Sequence, residues 1–322
     1  MSVAADYEPA KIPPYVERAI GVKRGASDDV VQALSHRFVD RVRFEQPEAL
    51  GRLGDAPVLY MANHQVGIES FLFCCLVSAI RGGKAAGLAK AEHATSWFGR
   101  VLELTRSHPD VRFGVPGIIL IRRGDPASLV EALAEVAATL TAGASVLLHV
   151  EGTRARREGH VVRRFHPALA ELAVRTRVPV VPARFLGGLP DTATDERYEF
   201  PVGYGRQVYC VGEPIAASAL AALDGRGRVE RIARAINALG AGVATSREAD
   251  ADFASEVAAW TARTGVAVEF AVVATALRRY SPSSADARAV LARAEGRPVA
   301  LPAGERGRWI ASFAALIGGS EA

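Results

Sequence analysis

Between about residues 57 and 215, short apolar segments alternate with helical patterns, and this alternation constrains the fold more than any other feature of the sequence. Such alternation is typical of an α/β layer with parallel strands. We therefore expect an α/β fold with a mostly parallel central sheet flanked by helices. The predicted strands are residues 57–62, 117–121, 145–150, 178–185 and 207–211, and the predicted helices are residues 67–80, 125–143 and 167–175.

The two ends of the chain have a different character. Residues 1–45 predict an N-terminal extension with one amphipathic helix over about residues 30–42, whereas the end of the chain is rich in Ala and Arg with helical patterns. The predicted organisation is therefore an N-terminal helical extension, an α/β core and a mainly helical C-terminal region, over residues 1–45, 46–216 and 217–322.

Composition excludes several classes of protein. Hydrophobic residues make up 49% and charged residues 23% of the 322 residues, which are ordinary values for a globular chain. The net charge of +4 is small, and no basic patch interleaved with aromatic residues suggests nucleic acid as a partner. Five of the seven histidines lack metal-ligand spacing, namely His36, His93, His108, His160 and His166, and no dinucleotide, Walker or zincin motif occurs. We therefore expect neither a metal nor a cofactor.

The cysteines and the N-terminus predict a cytoplasmic location. Cys74, Cys75 and Cys210 do not form a disulfide pattern, and residues 1–15 lack the basic and apolar regions of a signal peptide. No apolar run approaches the ~20 residues that a membrane-spanning helix needs. We therefore expect a soluble protein or one that associates peripherally with the inner face of the membrane.

A histidine and a glutamate follow the first predicted strand of the core. His64 lies at the carboxyl end of that strand, where open α/β sheets bind ligands. Glu69, at the start of the next helix, can bond one imidazole nitrogen, which would leave the other nitrogen free as a general base. Taken alone, however, such a pair more often serves capping or packing.

Arginine-rich turns follow two other predicted strands. Arg122 and Arg123 come after residues 117–121, and Glu151-Gly152-Thr153-Arg154 comes after residues 145–150. Gly152 permits a tight turn, and Thr153 and Arg154 supply donors for an anionic group. A solvated basic loop explains either turn equally well on its own.

These segments, in this order, resemble the blocks of the glycerolipid acyltransferase family, which includes the lysophosphatidate and glycerol-3-phosphate acyltransferases. The family's His-x4-Asp block corresponds to His64 and Glu69, and its second block ends at Arg123, with Arg122 in the variable place before it. The Glu-Gly-Thr-Arg block (151–154) and the Val-Pro-Val-Val-Pro block (178–182) are intact. The resemblance covers about residues 50–216.

The chain departs from the family pattern at two places. Glu69 replaces the usual Asp and is one methylene longer, which affects its contact with the proposed catalytic histidine. His149-Val150 stands where the family has Phe-Pro, and we expect this change to affect packing only. Both departures suggest an acceptor that differs from the usual acceptors of the family.

The resemblance implies acyl transfer from acyl-CoA or an acyl carrier protein to a hydroxyl acceptor, such as a lysophospholipid or glycerol phosphate. His64 would be the general base and Glu69 its orienting partner, and the acceptor would attack directly because no Ser or Cys lies beside a base in these blocks. The implied substrate-binding residues are Arg122, Arg123, Glu151, Gly152, Thr153 and Arg154, with Glu151 bracing the loop. Two alternatives remain: a tailoring acyltransferase for another hydroxyl or amine, and a non-catalytic acyl- or lipid-binding protein.

Overall fold

The computed structural model describes residues 4–21, 24–112, 114, 117–245 and 250–319. Within them, eight strands form one sheet in the order β1-β2-β8-β7-β3-β6-β4-β5. The strands are β1 (Ala5–Tyr7), β2 (Val39–Phe44), β3 (Leu59–Ala62), β4 (Ala85–Lys90), β5 (Ile118–Ile121), β6 (Ser145–His149), β7 (Val180–Leu186) and β8 (Gln207–Val211).

The sheet is mostly parallel, which confirms the predicted fold class. Five consecutive strands, β7-β3-β6-β4-β5, run parallel to one another. Strand β8 lies antiparallel to β7, β2 pairs with β8 in parallel, and β1 closes this side of the sheet antiparallel to β2. The carboxyl ends of the five parallel strands therefore share one edge of the sheet.

Helices cover both faces of the sheet, as its alternating side chains require. Tyr60 and Ala62 of β3 point into one apolar layer, and Leu59 and Met61 point into the other. The helices are α1 (Tyr15–Ile20), α2 (Ala26–Phe38), α3 (Pro47–Gly51), α4 (Glu69–Arg81), α5 (Trp97–Arg106), α6 (Pro126–Thr141), α7 (Pro167–Thr176), α8 (Ala217–Ala221), α9 (Gly225–Ala238), α10 (Ala251–Thr264), α11 (Val268–Tyr280), α12 (Ala285–Ala294) and α13 (Glu305–Gly318).

The two layers differ in composition. The layer of Tyr60 contains buried side chains from α1, α2, α4 and α5, and the C-terminal helices α10 to α13 extend the same apolar cluster. The opposite layer is made mainly by α6, α7 and α9. No single helix among the described residues is both long and apolar enough to cross a bilayer; α10 and α11 pass that test only as a pair bent by 118°.

Several elements differ from the sequence prediction. The helix expected over residues 30–42 is α2, which ends at Phe38, and the next residues form β2, where Val39, Val42 and Phe44 are buried. Strands β1 and β2 thus join residues of the expected helical extension to the central sheet. Strand β4 was also missed, because Ala85-Ala-Gly-Leu-Ala-Lys90 contains no β-branched or aromatic residue. The division into the three predicted regions stays a prediction.

Candidate active site

Two histidines, a lysine and an arginine meet at the carboxyl edge of the parallel strands. His64 follows β3 by two residues, and His149 is the last residue of β6, the neighbouring strand. Lys90 ends β4, and Arg123 follows β5 by two residues. Because the strands are parallel and adjacent, side chains far apart in sequence reach one site.

His64 and Glu69 are in direct contact, as the sequence predicts. Nδ1 of His64 lies 2.7 Å from Oε1 of Glu69, so this nitrogen carries the proton and donates it to the carboxylate. Nε2 of His64 has no hydrogen-bond partner among the described residues, and the side chain is 17% exposed. The ring is therefore held in one tautomer, with an available lone pair on its outer nitrogen.

Glu69 is fully buried at the first position of α4 and accepts three further hydrogen bonds. The backbone N–H groups of Gln65 and Val66 donate to its two oxygens at 2.7 and 3.2 Å, and Nε2 of the buried Gln207, from β8, donates at 3.0 Å. Burial raises the pKa of Glu69, and these hydrogen bonds oppose the rise. The carboxylate is thus locked in place beneath His64.

Burial is also the main influence on the two histidines. It lowers the pKa of His64 well below its ordinary value, and the positive charge of Arg154 acts in the same direction. At neutral pH His64 is consequently uncharged, the state that a general base needs. Burial and the neighbouring His64 lower the pKa of His149 to about 3, so this ring is neutral as well.

His149 lies face to face with His64. The ring centroids are 3.7 Å apart and the planes differ by 17°. Nδ1 of His149 donates to the carbonyl oxygen of Asn63 at 2.6 Å, and its Nε2 accepts from the hydroxyl of Ser70 at 2.7 Å. The expectation that residue 149 affects packing only is therefore wrong, since it contacts the proposed base. A Ser also lies beside a base here, which contradicts the premise from which direct attack was expected.

Asn63 fixes the turn that carries His64. Its side-chain amide donates to the carbonyl oxygen of Phe185 at 2.9 Å and accepts from the N–H of Phe185 at 2.8 Å. The backbone of His64 in turn accepts a hydrogen bond from the N–H of Ala155 at 2.7 Å. The turn is thereby attached both to β7 and to the loop after β6.

A cavity of about 610 Å³ opens at this edge of the sheet. Its polar end is lined by His64, His149, Lys90, Arg123 and Arg154. Apolar side chains from α1, α2, α4 and α5, on the side of the Tyr60 layer, also line the cavity: Val16, Val31, Phe71, Cys74 and Leu102. A second apolar group, Ile121, Phe165 and Leu169, lies on the side of the opposite layer.

The cavity carries an excess of positive charge. Five lining cations have neither an ion pair nor a side-chain hydrogen bond within the part of the chain that the structure describes: Lys90, Arg123, Arg163, Arg164 and Arg197. Burial and the repulsion of Arg123 and Arg154 lower the pKa of Lys90. Cations that crowd one another without acidic partners favour the binding of an anion there.

The turn at residues 151–154 occupies this polar end. Gly152 has φ +62°, a conformation that favours glycine, and a Cβ at this position would lie 3.9 Å from the guanidinium of Arg123. Thr153 also lines the cavity. Arg154 makes an ion pair with Glu199 at 2.6 Å and donates to the carbonyl oxygen of Tyr198 at 2.9 Å. Glu151 lies 2.9 Å from His160.

Two predicted site residues do not line the cavity: Glu69, which is buried beneath His64, and Arg122. Arg122 is 62% exposed and lies 3.2 Å from Asp125 and 3.7 Å from Glu131 on the protein surface. Asp125 at the same time caps α6, accepting from the N–H groups of Ala127 and Ser128. These contacts hold Arg122 on the outside of the helix start, whereas Arg123 lines the cavity.

Sequence reasoning gave no role to Gln207, Asn63, Ser70 or Lys90. A polar residue within an otherwise apolar strand, as in Gln207-Val-Tyr-Cys-Val211, was the available signal for the first. The polarity of Asn63 and Ser70 on either side of His64 and Glu69 was visible, but their partners come from other strands. Lys90 ends a strand that the sequence did not reveal.

His64, Glu69 and His149 also form a cluster with metal-ligand chemistry, because their ligand atoms lie within 4.8 Å of one another. Each of these atoms already makes a protein hydrogen bond: His64 to Glu69, and His149 to Asn63 and Ser70. A metal would have to displace these bonds and separate two stacked rings. The arrangement therefore fits proton transfer better than metal coordination.

Comparisons with known proteins gave a family match and a similarity to a solved structure. A protein-family model described as Acyltransferase matches residues 41–186, slightly less than half of the chain. No curated protein gives a significant match. Among solved structures, the chain is similar to the 1-acyl-sn-glycerophosphate (LPA) acyltransferase PlsC from Thermotoga maritima, with 21% identity over 66% of this chain and 76% of that chain and a TM-score of 0.43.

Proposed function

We propose that this chain is an acyltransferase, because a family model of that description matches residues 41–186 and the site holds an uncharged histidine oriented by a buried carboxylate. The proposed donor is an acyl thioester of phosphopantetheine, on CoA or on a carrier protein, and the proposed acceptor is a hydroxyl on a phosphorylated lipid. The observation that carries the proposal is the 2.7 Å contact of His64 with Glu69 at the polar end of a cavity that is otherwise lined in large part by apolar side chains.

In the proposed reaction His64 activates the acceptor. Its Nε2 takes the proton of the hydroxyl while the oxygen attacks the thioester carbonyl carbon. Glu69 holds the ring in the required tautomer and stabilises the imidazolium that forms. The C–S bond then breaks, and the leaving thiolate takes the proton from His64. General-base assistance of this kind contributes about 10²–10⁴-fold to a rate.

The cavity supports an acceptor with an anionic group. Arg123, Lys90 and the turn at Gly152 and Thr153 surround the polar end, close to His64. Lys90 and Arg123 make no ion pair among the described residues and repel each other, so a phosphate would neutralise their charges. Arg154, already paired with Glu199, braces the turn next to His64 rather than offering a free charge.

The apolar part of the cavity lining supports two apolar chains, because it comes from both layers. The side chains from α1, α2, α4 and α5 are suited to the chain of the donor, and the group of Ile121, Phe165 and Leu169 is suited to an apolar tail on the acceptor. This favours a lysophospholipid-type acceptor over glycerol phosphate, which has no tail. The contact of Glu69 with His64 favours turnover over non-catalytic binding. A tailoring reaction on another acceptor stays an alternative, and the cytoplasmic location with peripheral membrane contact stays a prediction.

Thiol release tests the proposal. Acyl-CoAs and acyl carrier proteins would be offered with lysophosphatidate, glycerol 3-phosphate or a neutral monoacylglycerol. We expect release that depends on the acceptor and is abolished in His64→Ala. Unchanged turnover in that variant would remove the proposed base.

Arg123→Ala and Arg122→Ala form a matched pair for the acceptor phosphate. We expect Arg123→Ala to raise the KM of lysophosphatidate by about tenfold, the effect of one charged hydrogen bond, without changing the KM of the neutral acceptor. Arg122→Ala removes the same charge outside the cavity and should leave both values unchanged. Equal effects of the two substitutions would contradict a phosphate site at Arg123.

A further inference from the structure

We propose that His149 is a positioning residue for the base: it holds the ring of His64 by face-to-face contact and keeps water from that face. The inference rests on the proposed function, because it requires His64 to act as the base. It assigns a role to a residue at which this chain departs from the family pattern described above.

The geometry fixes His149 more firmly than stacking alone would. One nitrogen donates to the carbonyl oxygen of Asn63 and the other accepts from the hydroxyl of Ser70, so rotation of the ring in either direction breaks a hydrogen bond. Asn63 is itself attached to β7 through Phe185. The ring of His149 is therefore a rigid wall, and its 3.7 Å stacking distance allows no water between it and His64.

Glu69 and His149 constrain different parts of the His64 ring. Glu69 bonds Nδ1 in the direction of the ring plane, and His149 covers one face. Two contacts at right angles define the orientation of an imidazole, whereas the bond to Glu69 alone would leave it free to rotate about the hydrogen-bond axis. This matters because reacting groups must be held close to productive geometry, and a displacement of about 1 Å can cost on the order of 10²-fold in rate.

A second possible role for His149 is to activate Ser70 as a nucleophile. The arrangement Ser70–His149–Asn63 carbonyl does contain a nucleophile, a base and an orienting group. However, burial lowers the pKa of both histidines, and only His64 has a carboxylate hydrogen-bonded to Nδ1 to stabilise the imidazolium that proton transfer creates. Nδ1 of His149 donates to the neutral carbonyl oxygen of Asn63 instead. The geometry thus favours positioning, and an acyl ester on Ser70 becomes an outcome of the test.

The experiment compares His149→Phe with His149→Ala. Phenylalanine keeps a flat ring against His64 and loses both hydrogen bonds, whereas alanine opens the face of His64 to water. We measure kcat and the KM values of donor and acceptor, the pH dependence of kcat/KM, and the titration of His64 by NMR of histidine-labelled protein. His36→Ala is the control, because His36 also contacts an aromatic ring, edge to face with Tyr280, and does not line the cavity.

We expect His149→Ala to lower kcat by about tenfold or more with little change in either KM. The pKa of His64 should rise toward its ordinary value of about 6.5, which moves the acidic limb of the pH profile to higher pH. His149→Phe should keep the low pKa of His64 and lose less kcat. His36→Ala should match the wild type.

Two results would overturn the inference. One is a His149→Ala variant with wild-type kcat and an unchanged titration of His64. The other is an acyl ester on Ser70 that mass spectrometry detects in the wild type and that is lost in Ser70→Ala together with turnover. Failure of the proposed function would look different, as absent acceptor-dependent transfer in the wild type or activity in His64→Ala. If His149→Ala does not fold, the His149→Phe variant decides. A raised pKa of His64 in that variant, in which a flat ring still covers His64, would contradict the proposal that the ring at position 149 keeps water from His64.

Discussion

Replacing Glu69 by Gln tests the role of the buried carboxylate while keeping the length and shape of the side chain. In the structure four N–H groups converge on its two oxygens, from His64, Gln65, Val66 and Gln207. An amide has only one oxygen, so its NH₂ group must face two of these donors. If it faces His64, the imidazole must carry its proton on Nε2 instead, and the nitrogen needed for proton abstraction is blocked.

The effect on rate is expected to be large. Glutamine removes the charge that stabilises imidazolium and the acceptor that selects the tautomer. Both belong to the general-base contribution of about 10²–10⁴-fold, equivalent to about 3–5 kcal/mol of activation free energy. The effect on folding is smaller, because unsatisfied buried donors cost about 1–3 kcal/mol each and Gln207 can turn its own amide oxygen, which has no partner among the described residues, toward the new NH₂ group.

The assay is kcat under saturating donor and acceptor, with urea unfolding of the same samples to measure the free energy of unfolding. Glu131→Gln is the matched control, since Glu131 is an exposed residue near Arg122 and outside the cavity. Glu69→Asp should retain much of the activity, because it keeps the charge. A kcat for Glu69→Gln within about threefold of the wild type, in folded protein, would refute the orienting and charge-stabilising role.

Two further predictions concern stability. Asp28 is buried, and desolvation raises its pKa to about 6, above the unfolded value of about 3.9. The folded state therefore binds the proton more tightly than the unfolded state. The free energy of unfolding falls by up to about 3 kcal/mol as the pH rises from about 4 to about 6 and above. Asp28→Asn should flatten this pH dependence, measured by urea unfolding at a series of pH values. An identical pH dependence in the variant would refute this assignment. Asn63→Ala should lower the free energy of unfolding by about 1–3 kcal/mol and also lower kcat, because it releases the turn of His64 from Phe185. A loss of stability with wild-type kcat would show that the two hydrogen bonds of Asn63 to Phe185 do not position the base.

The sequence predicted what local spacing determines. His64 and Glu69 are five residues apart across a strand end and a helix start, so the reach of one side chain to the other follows from the order of the elements. The α/β fold followed in the same way from alternating strands and helices. Strand β4 escaped detection because Ala85, Ala86 and Gly87 carry no strand signal, and their conformation is set by pairing with β5 and β6.

The remaining parts of the site depend on strand order, which the sequence does not contain. Gln207 reaches Glu69 because β8 and β7 pair in the sheet, and the two residues are 138 positions apart. His149 stacks on His64 because β6 is the immediate neighbour of β3, with Ala62 in register with His149 itself. Arg122 and Arg123 could not be separated from sequence either, since only the start of α6 at Asp125 decides which of them turns outward.

The two departures from the family pattern meet in space, and this suggests why they occur together in one chain. Oε1 of Glu69 lies 2.7 Å from Nδ1 of His64 and 4.0 Å from Nδ1 of His149, so the substituted acid and the substituted strand end both border the same imidazole. The longer side chain of Glu69 reaches His64 from the first residue of α4. The ring of His149 limits how far the His64 ring can move to accommodate that longer side chain. The two changes therefore act on one variable, the orientation of His64, rather than as separate adjustments of chemistry and packing.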